Sequence, residues 1–249
     1  MQEILTRREF GGKVRFWVKG LVAAAALSRL DIGTAYAEQQ SVDCPIYMFH
    51  ETTASTAYLL EWIVASHIVQ GKLPVDIRTL AAIARGEKSG SAKQLFALTF
   101  DDGLLSQYIH ALPVLKRWRV PATFFVIGVD WSDGAHQYMS PQQKQEVASE
   151  GFEIGSHTLN HPRNLITLRR NSLGAYQVEI DQSRSLISAL IGYSVVSFSS
   201  PNSVYDDTLV KDLRGLGYKA AVSTAPNQGL IPSRRGVDEL YNLMRQRKS

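Results

Sequence analysis

Short apolar runs alternate with longer amphipathic stretches along this chain, and that alternation predicts parallel strands joined by helices. The runs at 46–49, 95–99, 122–127, 153–156, 195–198 and 220–223 predict strands, and 73–77 adds a less apolar candidate. Helical spacing of apolar positions predicts helices over 56–70, 79–85, 105–118, 141–150, 173–191 and 207–216. Several ends carry their own signals. Ser140 before Pro141 is an N-cap followed by proline in the first turn, and Gly151 and Gly217 stand where left-handed C-caps belong. Trp62 and Trp118, at helical spacing in their segments, are assigned to the core. A series of strand–helix units of this size closes into a barrel or lies as an open sheet, and in a barrel the chemistry gathers at the C-terminal strand ends.

The first 37 residues read differently from the rest. Thr6-Arg7-Arg8-Glu9-Phe10 is a twin-arginine pattern, an apolar segment follows over 20–27, and Ala35-Tyr36-Ala37 is a small-residue site. That order predicts an export signal over 1–37 and a single mature domain over 38–249, delivered to the periplasm or secreted. The apolar segment is shorter than the roughly 20 residues a bilayer span needs, so no stable membrane span is expected after signal removal. The same segment holds six of the 27 Lys and Arg and three of the 23 Asp and Glu. What remains is close to neutral, which gives no ground for nucleic acid as a partner. Cys44 is the single cysteine, so no disulfide forms within the chain.

Two segments carry the candidate chemistry. Thr99-Phe100-Asp101-Asp102-Gly103 places adjacent carboxylates at the end of an apolar run, and Gly155-Ser156-His157-Thr158-Leu159-Asn160-His161-Pro162 places two imidazoles four residues apart after another. One carboxylate with two histidines is a three-ligand set that leaves a divalent metal with open positions. The spare carboxylate is then placed to act as a base on water. Neighbouring residues on a strand point to opposite sides, so both carboxylates reach one site only if the chain turns there, as a positive φ at Gly103 permits.

These two segments, at this separation, resemble the polysaccharide deacetylase (NodB-homology) family, and the resemblance runs over about 46–223. It implies an α/β fold, a distorted (β/α) barrel of the polysaccharide deacetylase type with seven strands. It also implies removal of acetyl groups from N-acetylated saccharides such as chitin-like or poly-N-acetylglucosamine chains. By the same resemblance Asp101 matches the general base, and Asp102, His157 and His161 match the ligands of zinc, with cobalt, nickel and manganese as alternatives. An acid histidine is expected near the C-terminus, yet no histidine follows His161. His50 ends the apolar run Ile46-Tyr47-Met48-Phe49, and this opening resembles the circularly permuted branch of the family, in which the acid-bearing strand comes first. His50 is therefore the expected acid. His67 and His110, on predicted helices, are expected to have a structural or solvent-facing role, and His136 has no assignable role.

The third motif departs from the family pattern. Phe198-Ser199-Ser200-Pro201-Asn202-Ser203-Val204-Tyr205-Asp206 stands where two tyrosines and a glycine are expected around the proline. The backbone N–H of Asn202, beside Pro201, still suits an oxyanion, because a main-chain donor needs only geometry. Trp131 and Tyr138 are candidates to stack on sugar rings. Two other readings of the same fold stay open. One is a deacetylase or amidase acting on O-acetyl xylan or a non-sugar amide; the other is a non-catalytic saccharide-binding protein.

Overall fold

The computed structural model describes residues 44–128, 137–224 and 234–236. The expected export signal, Trp131 and His136 lie outside the described residues. The described strands are β1 (Ile46–Phe49), β2 (Leu73–Val75), β3 (Leu95–Phe100), β4 (Thr123–Val126), β5 (Glu153–Ser156), β6 (Ser197–Ser199), β7 (Ala220–Val222) and β8 (Arg235–Gly236). They form one sheet, and every pairing within it is parallel. The order is β7-β6-β5-β4-β3-β1-β8, seven strands, with β2 paired off that path to the start of β3. The segments at the two outer strands meet where the Arg234 N–H donates to the Ser223 carbonyl (2.6 Å), so the sheet curls round as the distorted barrel expected from the sequence.

The strands form because they can be covered on both faces. All six residues of β3 are buried, the continuous apolar pattern of a parallel strand between helix layers. Phe49, Phe100 and Phe124 stack across β1, β3 and β4 with ring centroids 5.0 and 4.8 Å apart. The helices are α1 (Ala54–Val69), α2 (Ile77–Ala84), α3 (Leu112–Trp118), α4 (Pro141–Ser149), α5 (Leu165–Asn171), α6 (Leu173–Gln177), α7 (Ser183–Ile191) and α8 (Asp207–Gly215). The predicted start of α4 is built as a capping box, with the Ser140 hydroxyl on the Gln143 N–H and the Gln143 side chain on the Ser140 N–H.

Three expectations need correction. Trp62 is 53% exposed, because Leu59, Leu60, Ile63 and Val64 already fill the inward stripe of α1. Trp118 is only half-buried, and its indole N–H donates to Glu61 (3.0 Å). The helices expected over 105–118 and 173–191 are each interrupted by a π-helical turn, Gln107–Ala111 and Val178–Gln182. Such a turn adds one residue to the helical repeat, which an apolar spacing averaged over a whole segment does not reveal. His67 is structural as expected: it is buried between Tyr47, whose hydroxyl lies 2.8 Å from its Nε2, and the ring of Phe96.

A buried carboxylate ties the N-terminal ends of the strands together. Glu153, the first residue of β5, accepts from the Thr123 hydroxyl (2.6 Å), the Ser197 hydroxyl (2.6 Å) and the Arg78 N–H (3.0 Å). Burial, and then the nearby Asp76 carboxylate, push its carboxyl above the usual range.

Candidate metal centre and active site

The two acidic residues follow β3 directly. The Asp101 N–H donates to the Phe49 carbonyl (2.9 Å), which extends the β1–β3 ladder by one bond. The chain then turns through two successive positive φ values, 73° at Asp102 and 76° at Gly103. This turn breaks the strand alternation and separates the fates of the neighbouring carboxylates. Gly103 is needed twice over: its φ is left-handed, and a Cβ there would meet the Val126 side chain at 3.1 Å.

The histidine segment follows β5 in the same way. The His157 N–H donates to the Val126 carbonyl (2.9 Å). The chain then folds into a compact loop with positive φ at Thr158 (68°) and His161 (52°). Glu179, from the second π-helical turn, holds this loop. Its carboxylate accepts from the Leu159 N–H (3.0 Å), the Asn160 N–H (2.8 Å) and the Asn160 side-chain amide (2.9 Å). The loop, not a helical turn, brings the two rings together, with centroids 5.0 Å apart.

Asp102, His157 and His161 converge. Asp102 Oδ1 lies 3.2 Å from His157 Nε2 and 3.4 Å from His161 Nε2. One ligand atom from each of the three falls within 4.8 Å of the others. His157 Nδ1 is 2.8 Å from the Ser199 carbonyl and must donate to it, which turns the Nε2 lone pair toward Asp102. Asp102 Oδ1 is buried and has no hydrogen-bond partner among the described residues. Ligand atoms about 2.0–2.2 Å from a tetrahedral ion sit roughly 3.4 Å from one another, so this oxygen and these two nitrogens suit a single divalent cation.

Asp101 faces a different partner, one that the sequence motifs did not reveal. Arg234 donates to Asp101 Oδ1 from one terminal nitrogen (2.6 Å) and to Oδ2 from the other (2.7 Å). The same guanidinium reaches the Ser199 hydroxyl (2.9 Å) and the Thr99 hydroxyl (3.3 Å). Ser199 in turn donates to Asp101 Oδ2 (3.2 Å). Both charged groups are almost fully buried. Burial alone pushes the Asp101 carboxyl up, but the Arg234 guanidinium, then His157 and His50, outweigh it and hold the group far below the usual carboxylate range.

The two ring systems are pulled in opposite directions. Burial lowers the His157 pKa, but Asp101 and Asp102 more than offset that and leave it raised. For His161, burial and then the neighbouring His157 act together and lower it. Burial likewise pushes Asp102 up, and the close approach of the His157 ring, then His50, brings it below the ordinary value.

The remaining expected residues surround this centre. His50 is the residue after β1, and its charge is felt at both Asp101 and Asp102. Pro201 and Asn202 lie just beyond Ser199 in a short 3₁₀ turn, Pro201 buried and Asn202 exposed with φ 55°. The Asn202 side-chain amide donates to the Arg163 carbonyl (3.1 Å), tying this turn to the chain just past His161. Tyr138 is half-buried and bridges to Leu104, two residues past Asp102. A cleft of about 340 Å³ is lined by Glu51, Leu104, Leu105, Ser106, Ile109, His110 and Gln137; Glu51 adjoins His50, and Leu104 lies two residues past Asp102. His110 lines this cleft and is not a member of the Asp–His–His cluster.

Arg234 and Glu179 are among the contributors that sequence reasoning missed. A buried carboxylate at Asp101 called for a cation, but the two-residue strand after Arg234 is too short to show a period. Glu179 sat inside a predicted helix, where an acidic residue reads as a solvated face.

The polysaccharide deacetylase family model matches residues 88–221, more than half of the chain. The chitooligosaccharide deacetylase of Sinorhizobium fredii is 30% identical over 157 residues, which is 62% of this chain and 67% of that protein. The chitin deacetylase of Colletotrichum lindemuthianum is 30% identical over 66% of this chain and 61% of its own length. For the peptidoglycan-N-acetylmuramic acid deacetylase PdaA of Bacillus subtilis the figures are 31%, 59% and 53%. The chain thus spans between about half and two thirds of the length of these curated relatives. Among solved structures, the fold is similar to the Streptococcus pyogenes deacetylase PplD, with a TM-score of 0.65 at 24% identity over 78% of this chain and 91% of that one. It is also similar to IcaB from Ammonifex degensii, at 0.62 and 21% over 77% and 90%. The matched residues include both motifs that build the Asp–His–His cluster, and the chain belongs to the polysaccharide deacetylase family.

Proposed function

We propose that the protein is an exported, metal-dependent deacetylase acting on N-acetylated saccharides. The observation that carries this reading is the convergence of Asp102, His157 and His161 beside an Asp101 held ionised by Arg234. Asp102, His157 and His161 would hold a divalent ion, zinc above all, which when bound would supply Lewis-acid chemistry toward the acetyl carbonyl and the attacking water.

The protein's own groups account for the proton movements. Asp101 accepts the proton of the attacking water. Arg234 and the Ser199 hydroxyl take both lone-pair directions of Asp101 Oδ2, and Arg234 takes one on Oδ1, so the remaining Oδ1 lone pair is the one that accepts. His50, across from Asp101, donates a proton to the departing amine. The Asn202 N–H, on a backbone set at positive φ, is the donor for the developing oxyanion. Tyr138 borders the saccharide, and the cleft beside Glu51 and Leu104 receives a neighbouring part of the polymer. Export through the twin-arginine signal places the protein with its polymer, in the periplasm or outside the cell.

Acetate release from chitin oligomers, poly-N-acetylglucosamine and acetylated xylan, each with and without chelator, tests the reading. Release from the N-acetylated chains that stops with chelator is expected. Release from xylan alone would move the substrate to O-acetyl esters. Saccharide binding with no acetate from any member would leave a binding protein.

A further inference from the structure

We infer that Gln107 is the positioning residue that fixes His50 across from Asp101. The inference rests on the proposed reading of His50 as acid and Asp101 as base. His50 lies one residue beyond Phe49–Phe100, the last registered pair of β1 and β3, so sheet pairing alone does not set its place. Gln107 bridges that gap. It is fully buried and opens the π-helical turn Gln107–Ala111, a distortion that recurs at functional sites. Its Nε2 donates to the His50 carbonyl (2.9 Å) and to the Asp101 carbonyl (2.5 Å).

The chemistry of this bridge is specific. Two carbonyls cannot hydrogen-bond each other, and a side chain joining them must offer two N–H donors on one atom. A glutamine amide does this without charge, and its two acceptor partners fix which way the amide points. The preceding residue adds a second tie: the Ser106 hydroxyl accepts from the Thr52 N–H (3.1 Å). The exit of β1 is therefore tied to the start of the π-helical turn at two points, one on the proposed acid itself and one two residues after it. Placement of this kind governs turnover, since a misplacement of about 1 Å costs on the order of 10²-fold in rate.

The test is Gln107→Leu in the full chain. Leucine keeps the buried volume and removes both donors. A fall in kcat of about 10- to 100-fold is expected, with KM within about twofold and with zinc content and melting temperature close to wild type. A crystal structure of the variant should show the His50 backbone shifted relative to Asp101. If the leucine variant does not fold, Gln107→Asn carries the same readouts, because it keeps the donors on a stem one carbon short. Unchanged kcat per zinc-loaded molecule, or a variant structure with His50 unmoved, overturns the inference. Should the wild type release no acetate from any saccharide, the proposed function fails, and the position of His50 in the variant structure still decides the role of Gln107.

Discussion

Arg234 grips Asp101 by both carboxylate oxygens, at 2.6 and 2.7 Å, across 133 residues of sequence. The pair explains how a carboxylate that is almost fully buried stays ionised. It also makes Arg234 the control point for the proposed base. Arg234→Met removes the largest of the charges that oppose burial, so the Asp101 carboxyl rises. The acid limb of the pH–rate profile is expected to move to higher pH, with turnover near pH 7 down roughly 10²-fold. Arg234→Lys should recover part of this, since an ammonium restores charge without the two-point grip. A variant profile superimposable on wild type would remove Arg234 from this role.

The same pair bears on stability. Asp101 titrates lower in the fold than its ordinary 3.8, so its contribution is present above that pH and is lost as pH falls through the folded value. Breaking a buried pair by removing one partner costs roughly 3–5 kcal/mol. Arg234→Met should therefore melt well below wild type at neutral pH, and the gap should narrow as the solution is acidified. Thermal scans between pH 3 and pH 7 measure it.

Asp102 and Asp101 are adjacent in sequence but should separate cleanly by mutation. Asp102→Ala is expected to purify with almost no zinc by elemental analysis. Asp101→Asn should keep its zinc and lose about 10²–10⁴-fold in turnover, the usual worth of a general base. Undiminished zinc in the first variant would contradict the ligand assignment.

Glu179 is expected to act on metal retention without touching metal. Its carboxylate gathers three N–H groups from the loop that carries His161. Glu179→Gln places an amide where an acceptor is needed and loosens the loop. Zinc affinity, measured by competition with a chelator, should fall about 10- to 100-fold, as it does when groups that orient ligands are removed.

Glu153 gives a prediction of opposite sign in pH. Its folded pKa is raised above 4.5, so its contribution to stability is full below that pH and is lost as pH rises through the folded value. Glu153→Gln carries no such titration. The melting temperature of the variant should gain on wild type as pH climbs from 4.5 toward neutral. A constant difference across that range would show that Glu153 does not titrate in the fold.

Local signals carried the frame and most of the site. Strands β1 and β3 are short apolar runs, and the strand ends that bear site chemistry are marked by the residues that turn the chain, Gly103 after β3 and the Thr158–His161 loop after β5. Those signals lie within a few residues of one another, so a sequence displays them. Arg234 and Glu179 were hidden because their partners stand far along the chain. A charge that is paired only after folding looks, in sequence, like any surface charge. The π-helical turns were hidden for a different reason: an apolar spacing averaged over a whole segment does not show where a single residue is inserted. Trp62 failed as a core residue because hydrophobicity alone does not say which side of a helix faces in.

Strand β5 begins at Glu153 and hands the chain to His157 one residue after it ends. The knot of hydroxyls and amides around Glu153 sits on the floor of the barrel, and the Asp–His–His cluster sits on its rim. In barrels of this kind the floor serves durability and the rim serves reaction. An engineer who wants a hardier protein can therefore rebuild the floor, starting at Glu153, and leave the rim as it stands.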